Sequence, residues 1–237
     1  MNWSFTDVWN QSISVQNREI KPRDYIYASE IGGSYINRYM SMKGIVPTNP
    51  PNARSLRKFA AGNLWEWVVK MVLVRAGIMQ STNQRLEYNF PHLLRVSGRQ
   101  DFLAGGVPDL EKARRDIEAM GLPEEFKNAS LKIVDHIESL NLVELDTIVL
   151  EIKSSAGNMF DYYERIGGNP MHRSQTMIYL LGFNLPEGLL VYINKDNCLL
   201  NEVLVRADDT KLLEVTRADI EQMTYYYANS ETPPKDE

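Results

Sequence analysis

A mixed α/β domain built on a central sheet is the fold class this sequence predicts, and three observations predict it. The run Leu145-Asp146-Thr147-Ile148-Val149-Leu150 is apolar enough for a buried strand. Residues 55–77 repeat apolar side chains every three to four positions, as a helix does. Strand-like and helix-like stretches then alternate along the chain.

Each element follows from a local signal. Residues 28–42 read as a short helix with Ser29 near its start, and Gly44, Pro47, Pro50 and Pro51 then make a loop. Ser55 can cap the long helix, whose Leu56, Phe59, Ala60, Leu64, Trp67, Val68, Met71 and Val72 recur at helical spacing, with Gly77 as its stop. Residues 84–90 and 94–103 read as strands interrupted near Pro91 and Gly98. From Pro108 to about Leu140 the pattern is helical and charged, and Gly121-Leu122-Pro123 breaks it into a hairpin. A strand ending at Lys153 follows, then a helix through 174–181, strands near 189–194 and 199–205, and a last helix over 208–227. The expected organisation is one domain over 1–237, with a helical insertion at 107–144 and a frayed tail at 229–237.

Composition narrows the classes. A chain of 237 residues with 43% hydrophobic and 24% charged residues is ordinary for a globular protein. Residues 1–10 carry no secretory signal and no apolar run reaches membrane length, so the expected setting is cytoplasmic, away from membranes. The single cysteine, Cys198, excludes a disulfide framework or a cysteine-ligated metal within one chain and is expected to be a buried thiol. The net charge of −5 is unevenly placed. Residues 107–146 hold ten acids and five bases, and 207–237 hold eight acids and three bases. The remainder has thirteen acids against eighteen bases, so the candidate core is positive and compatible with a phosphate-bearing partner.

The chemistry centres on Glu151-Ile152-Lys153. Strand side chains alternate faces, so a carboxylate and an ammonium point the same way from a strand otherwise fit for burial. Buried charges are tolerated when paired or metal-bound. Asp101, in Val96-Ser97-Gly98-Arg99-Gln100-Asp101-Phe102, is a second candidate ligand; two carboxylates from adjacent strands plus the Ile152 carbonyl would make half the shell of a magnesium ion. Glu66 could complete it from mid-helix, where Gly62 one turn earlier would allow a close approach. Gln175 and Tyr179, spaced i and i+4, share a helix face, and both can hydrogen-bond phosphate or sugar. Backbone phosphates could be held by Arg54, Arg57, Lys58, Arg99, Arg165 and Arg173, and His172 is the histidine expected nearest the site.

Glu66, Asp101, Glu151-x-Lys153 and Gln175-x-x-x-Tyr179, in this order, resemble the PD-(D/E)xK nuclease superfamily. The RecB-type branch, which includes phage recombination exonucleases and CRISPR-associated adaptation nucleases, is the nearest likeness, over roughly residues 27–195. The resemblance implies a restriction-endonuclease-like core in which Asp101 and Glu151 bind Mg2+ or Mn2+. It implies that Lys153 orients or activates the attacking water and that Gln175 and Tyr179 contact DNA. The opening segment 27–38 carries Ser34 about where some relatives have a cluster-binding cysteine, so no iron–sulfur cluster is expected. The literal Pro108-Asp109 pair falls at the start of the insertion, and Asp101 is the better match. The expected function is a metal-dependent DNA exonuclease in recombination, repair or phage DNA processing, acting on single-stranded DNA or a free end, with an oligomer possible. A structure-specific endonuclease and a non-catalytic nucleic-acid-binding module on the same fold are the alternatives. No Walker ATPase motif is present.

Overall fold

The computed structural model describes residues 4–14 and 20–235. Its elements are α1 (Phe5–Ser14), β1 (Tyr25–Tyr27), α2 (Tyr35–Met42), α3 (Ala53–Arg75), β2 (Met79–Thr82), β3 (Arg85–Tyr88), β4 (Arg95–Arg99), β5 (Phe102–Gly106), α4 (Leu110–Ala119), α5 (Glu124–Ser139), β6 (Leu145–Ser155), α6 (Gly157–Ile166), α7 (Pro170–Phe183), β7 (Glu187–Asn194), β8 (Leu200–Arg206) and α8 (Thr210–Ala228). A five-stranded mixed sheet runs β2-β5-β6-β7-β8, parallel only between β6 and β7. A second, three-stranded sheet runs β1-β4-β3. The expected α/β architecture is present, with a mixed central sheet flanked by helices and the helical hairpin α4–α5 set between β5 and β6.

The strand β6 alternates between two cores, as its pleat requires. Val149 joins Leu190 and Tyr192 against Ile178, Tyr179 and Leu180 of α7. Leu150 and Ile152 face the other way, with Val191, Ile193 and Leu73 of α3. Glu151 and Lys153 therefore fall on the α7 side. Between the sheets, α7 is buried continuously from Ser174 to Leu180. A Cβ on Gly98 would stand 2.7 Å from Tyr179 Cε1, and one on Gly182 would strike Leu86, so both glycines let this helix lie against the small sheet.

Several boundaries differ from the sequence reading. The helix expected over 28–42 begins at Tyr35: Tyr25–Tyr27 pair with β4, a single 3-10 turn follows at Ala28–Glu30, and Ser34 caps α2 by accepting from Asn37 N. Asn52, not Ser55, caps α3, because its side chain accepts from the Ser55 amide. The apolar stripe expected for α3 is buried at Leu56 and Met71 but not along most of its length. Phe59, Leu64, Trp67, Val68 and Val72 are exposed, whereas Trp65, Val69 and Leu73 pack on the sheet. The helix is apolar around most of its girth, so period alone could not choose a face. The strand read as 94–103 breaks at Gln100-Asp101 instead of Gly98, where the chain passes from the small sheet to the large one. The elements α1, β1, β2 and α6 were not among those expected from the sequence.

Cys198 is exposed, not buried, because it lies at φ +61 in the turn joining β7 to β8, where the chain faces solvent. Within the tail, Glu231 N donates to Tyr226 O and Pro233 is buried, while residues 236–237 lie outside the described residues. Residues 1–3, within the amino-terminal stretch read as carrying no signal, lie outside the described residues. Among the described residues no helix is long and apolar enough to cross a membrane.

Candidate active site

The junction between the two sheets places Asp101. Strand pairing between β5 and β6 runs through Phe102 and Leu150, and just beyond it the Asp101 carboxylate takes over from the ladder. Its Oδ2 accepts the Ile152 amide at 2.7 Å. Residues 101 and 151 thereby become neighbours across fifty positions of sequence. Within a strand residue, N–H and C=O point to the same side, so the Ile152 carbonyl points toward the same edge of β6 as its amide.

Glu151 is 1% exposed and Lys153 is 25% exposed. Lys153 Nζ lies 2.6 Å from Glu151 Oε1, and Gln175 Nε2 donates to the same oxygen at 2.8 Å. Glu151 Oε2 is buried without a hydrogen-bond partner among the described residues. Gln175 Nε2 also donates to the Tyr179 hydroxyl at 2.9 Å, which in turn donates to the Arg99 carbonyl at 2.8 Å. The polarity of this chain is fixed, because an amide nitrogen carries two protons and accepts none.

The electrostatics are those of acids crowded out of water. Burial, reinforced by the Asp101 charge, pushes the Glu151 carboxyl up to about 7 against the pull of Lys153. Burial likewise raises Asp101, with Lys153 and the Ile152 amide opposing. Glu66 is raised by burial and by Asp101 and lowered by Lys153, so it feels the same charges. For Lys153, burial favours the neutral amine, but Glu151 and Asp101 outweigh it and hold the ammonium. His172 is lowered to about 3 by burial and by Lys153, and its Nδ1 lies 3.0 Å from the Tyr192 hydroxyl.

Among the described residues no three His, Cys, Asp or Glu side chains are gathered tightly enough to form a ready-made metal cage. The donor set nevertheless fits a hard cation. Magnesium is commonly bound by only one or two protein carboxylates plus waters, and here two such acids adjoin, one with an unpartnered buried oxygen. Glu66 stands further out, in α3. A Cβ on Gly62 would meet only Ser154 Oγ at 3.9 Å, so no protein packing calls for that glycine.

The remaining expected contacts divide. Tyr179 is 1% exposed and Gln175 is 5% exposed; both make internal hydrogen bonds, and both also line a cavity. Of the basic residues, Arg57 bonds Asn10 and Arg173 pairs with Asp209 at 3.1 Å, while Arg54, Lys58, Arg99 and Arg165 are exposed. Asp109 accepts from Lys112 N and caps α4, away from the acids. Arg23 and Tyr25 were not among the expected site residues; with Tyr27, the first residue of the opening segment, they line a cavity beside Gln175, and an alternating Arg-x-Tyr-x-Tyr was the available signal.

No family model and no curated protein matches the chain. Among solved structures, it is similar to the crystal structure of SSO0001, with 17% identity, a TM-score of 0.51, and coverage of 93% of this chain and 87% of that one. That likeness shows a shared fold. The alkaline exonuclease LHK-Exo from Laribacter hongkongensis matches at 9% identity and a TM-score of 0.46, covering 95% of this chain and 94% of that one. The same exonuclease in complex with dAMP matches at 11% identity, over the same shares of the two chains and with the same TM-score.

Proposed function

We propose that this protein is a divalent-metal-dependent nuclease that hydrolyses phosphodiester bonds in DNA, acting as an exonuclease on single strands or free ends. One observation carries the reading: the Asp101 carboxylate bonds the amide between Glu151 and Lys153, so the two acids and the ammonium adjoin at one strand end. A purely structural role gives no account of a buried carboxylate oxygen left without a partner. The motif order shared with the PD-(D/E)xK nucleases supports the same reading.

Asp101 and Glu151 would hold Mg2+ or Mn2+, with Glu66 and the Ile152 carbonyl as further oxygen donors; such a cation supplies Lewis acidity and lowers the pKa of a bound water. The rest falls to this chain's own groups. Lys153, held as an ammonium and partly open to solvent, donates to the charge that develops on the scissile phosphate. Gln175 and Tyr179 fix the Glu151 carboxylate relative to β4 and so position it.

Labelled single- and double-stranded DNA incubated with Mg2+, Mn2+ or EDTA tests the proposal. Cleavage is expected with either cation and not with EDTA. Asp101→Ala and Lys153→Ala should each lose at least ~100-fold in rate, the lower range for positioned catalytic groups. An Asp101→Ala protein that cuts at the wild-type rate would refute the assignment.

A further inference from the structure

Beside the acids lies a cavity of about 800 Å³. Gln175 and Tyr179 form its inner wall, so it begins one hydrogen bond from Glu151. Residues of the stretch from Lys21 to Tyr25, together with Tyr27, Arg85 and Arg99, also line it. Four bases and one acid line it, in a protein whose net charge is −5.

Its aromatic face is built, not incidental. Arg23 is 6% exposed, forked onto the Glu30 carboxylate at 2.7 and 2.8 Å, and bonded to the Tyr25 carbonyl at 2.7 Å. That guanidinium lies 4.2 Å from the Tyr27 ring centroid and covers one face. Tyr25 meets Tyr27 edge-on at 5.3 Å, and the two hydroxyls are 3.3 Å apart. The Tyr27 ring is thus held from behind and from the side, yet it remains 42% exposed and lines the cavity. Stacking a flat π-system is what such a fixed, half-open ring does well.

We infer that this cavity is a nucleotide subsite, in which one unpaired base stacks on the open face of Tyr27 while Arg99 holds an adjoining phosphate. The inference takes its ligand class from the nuclease reading and adds where the strand lies and why it is unpaired. A base inside a duplex has both faces stacked and cannot offer one to Tyr27. The volume is that of a small-molecule site, ~300–1,000 Å³, enough for a nucleotide or two and not for a helix. Arg99 suits the phosphate because its side chain is exposed while its carbonyl is anchored by Tyr179 beside the acids.

Fluorescence anisotropy in EDTA, with a short labelled oligothymidylate and a blunt hairpin of equal length, measures binding without cleavage. The single strand should bind more tightly than the hairpin. Tyr27→Ala should weaken it by ~5- to ~150-fold, the range of base–aromatic stacking on alanine substitution, and Tyr27→Trp should bind at least as tightly as wild type. Arg99→Ala should weaken binding and reduce the salt slope by about one. Competition with dTMP separates the sources: displacement at matching concentrations marks a mononucleotide site, and displacement only by oligonucleotide marks a strand path. A Tyr27→Ala protein with an unchanged melting temperature and unchanged affinity overturns the inference. If that variant fails to fold, unchanged affinity in Arg99→Ala together with equal binding of the single strand and the hairpin overturns it. The parent reading fails separately: Tyr27-dependent binding without cleavage in Mg2+ or Mn2+ removes the nuclease and keeps the subsite, whereas cleavage with Tyr27-independent binding does the reverse.

Discussion

Glu151 has one oxygen receiving two hydrogen bonds and the other receiving none among the described residues, and this asymmetry organises the residues around it. Gln175 donates from one nitrogen to Glu151 and to Tyr179, so its removal frees the carboxylate to turn. Gln175→Leu should lower kcat by ~10- to ~100-fold, the usual cost of losing a group that orients a ligand, with KM near wild type. A rise in KM alone would mean that Gln175 touches substrate after all. His172 makes a separate prediction. Its folded value, about 3, lies below the unfolded 6.5. Between those values the unfolded chain binds a proton and the fold does not, so this contribution is complete above pH 6.5 and is lost as pH falls toward 3. Glu151 works in the opposite sense: raised from 4.5 to about 7, it favours the fold at low pH and loses that contribution as pH rises through this range. The difference between wild type and His172→Gln isolates the histidine. Urea midpoints across pH 3–7 should fall less steeply on the acid side in the variant, and parallel curves would refute the buried neutral imidazole.

At the scale of elements, α2 is clamped to α8 by one ion pair. Arg38 forks onto Asp219 at 2.6 and 2.9 Å, and the two side chains are only 3% and 12% exposed. Breaking a buried pair leaves an uncompensated charge, which costs ~3–5 kcal/mol. Asp219→Ala should show that loss in denaturant unfolding, and a loss below ~1 kcal/mol, the range of exposed pairs, would mean that water reaches Arg38. The insertion is anchored in a different way. Asp109 N donates to Gly77 O, and Gly77 adopts φ +69 with no room for a Cβ beside the Asp109 backbone. Val74 of α3 then packs with Ala113, Ile117 and Val134 of the hairpin. The breaks at Gly77 and Gly121-Leu122-Pro123 were legible because they act through local backbone preference. The buried face of α3 was not, since Trp65, Val69 and Leu73 compete with an equally apolar stripe at Leu64, Val68 and Val72.

For the whole molecule, α7 makes the two sheets one body. Tyr179 and Leu180 share a core with Ile26 and Val96 of the small sheet and with Val149 and Leu190 of the large one. We propose a single domain on this ground. Calorimetry, far-ultraviolet circular dichroism and tryptophan fluorescence should then trace one coincident transition. Separate transitions would show that the hairpin α4–α5 or the small sheet unfolds independently. The same packing turns Gln175 toward Glu151 and Tyr179 toward the Arg99 carbonyl. Their i, i+4 spacing assigned them a common helix face, but only the placement of α7 between two sheets decided what that face looks at.

Local chemistry determined a good part of this protein by itself. Strand alternation put Glu151 beside Lys153, turn residues bounded the helical hairpin, and the absence of a second cysteine limited what the chain can ligate. Those signals act over a few residues, where backbone geometry leaves few choices. Tertiary structure alone decided that Asp101 caps the Ile152 amide, that one oxygen of Glu151 is left bare, and that Tyr27 fronts a cavity. Each of these depends on segments brought together across tens of positions by the burial of apolar area. Burial is additive and non-directional, so it leaves no mark at either residue that names its partner.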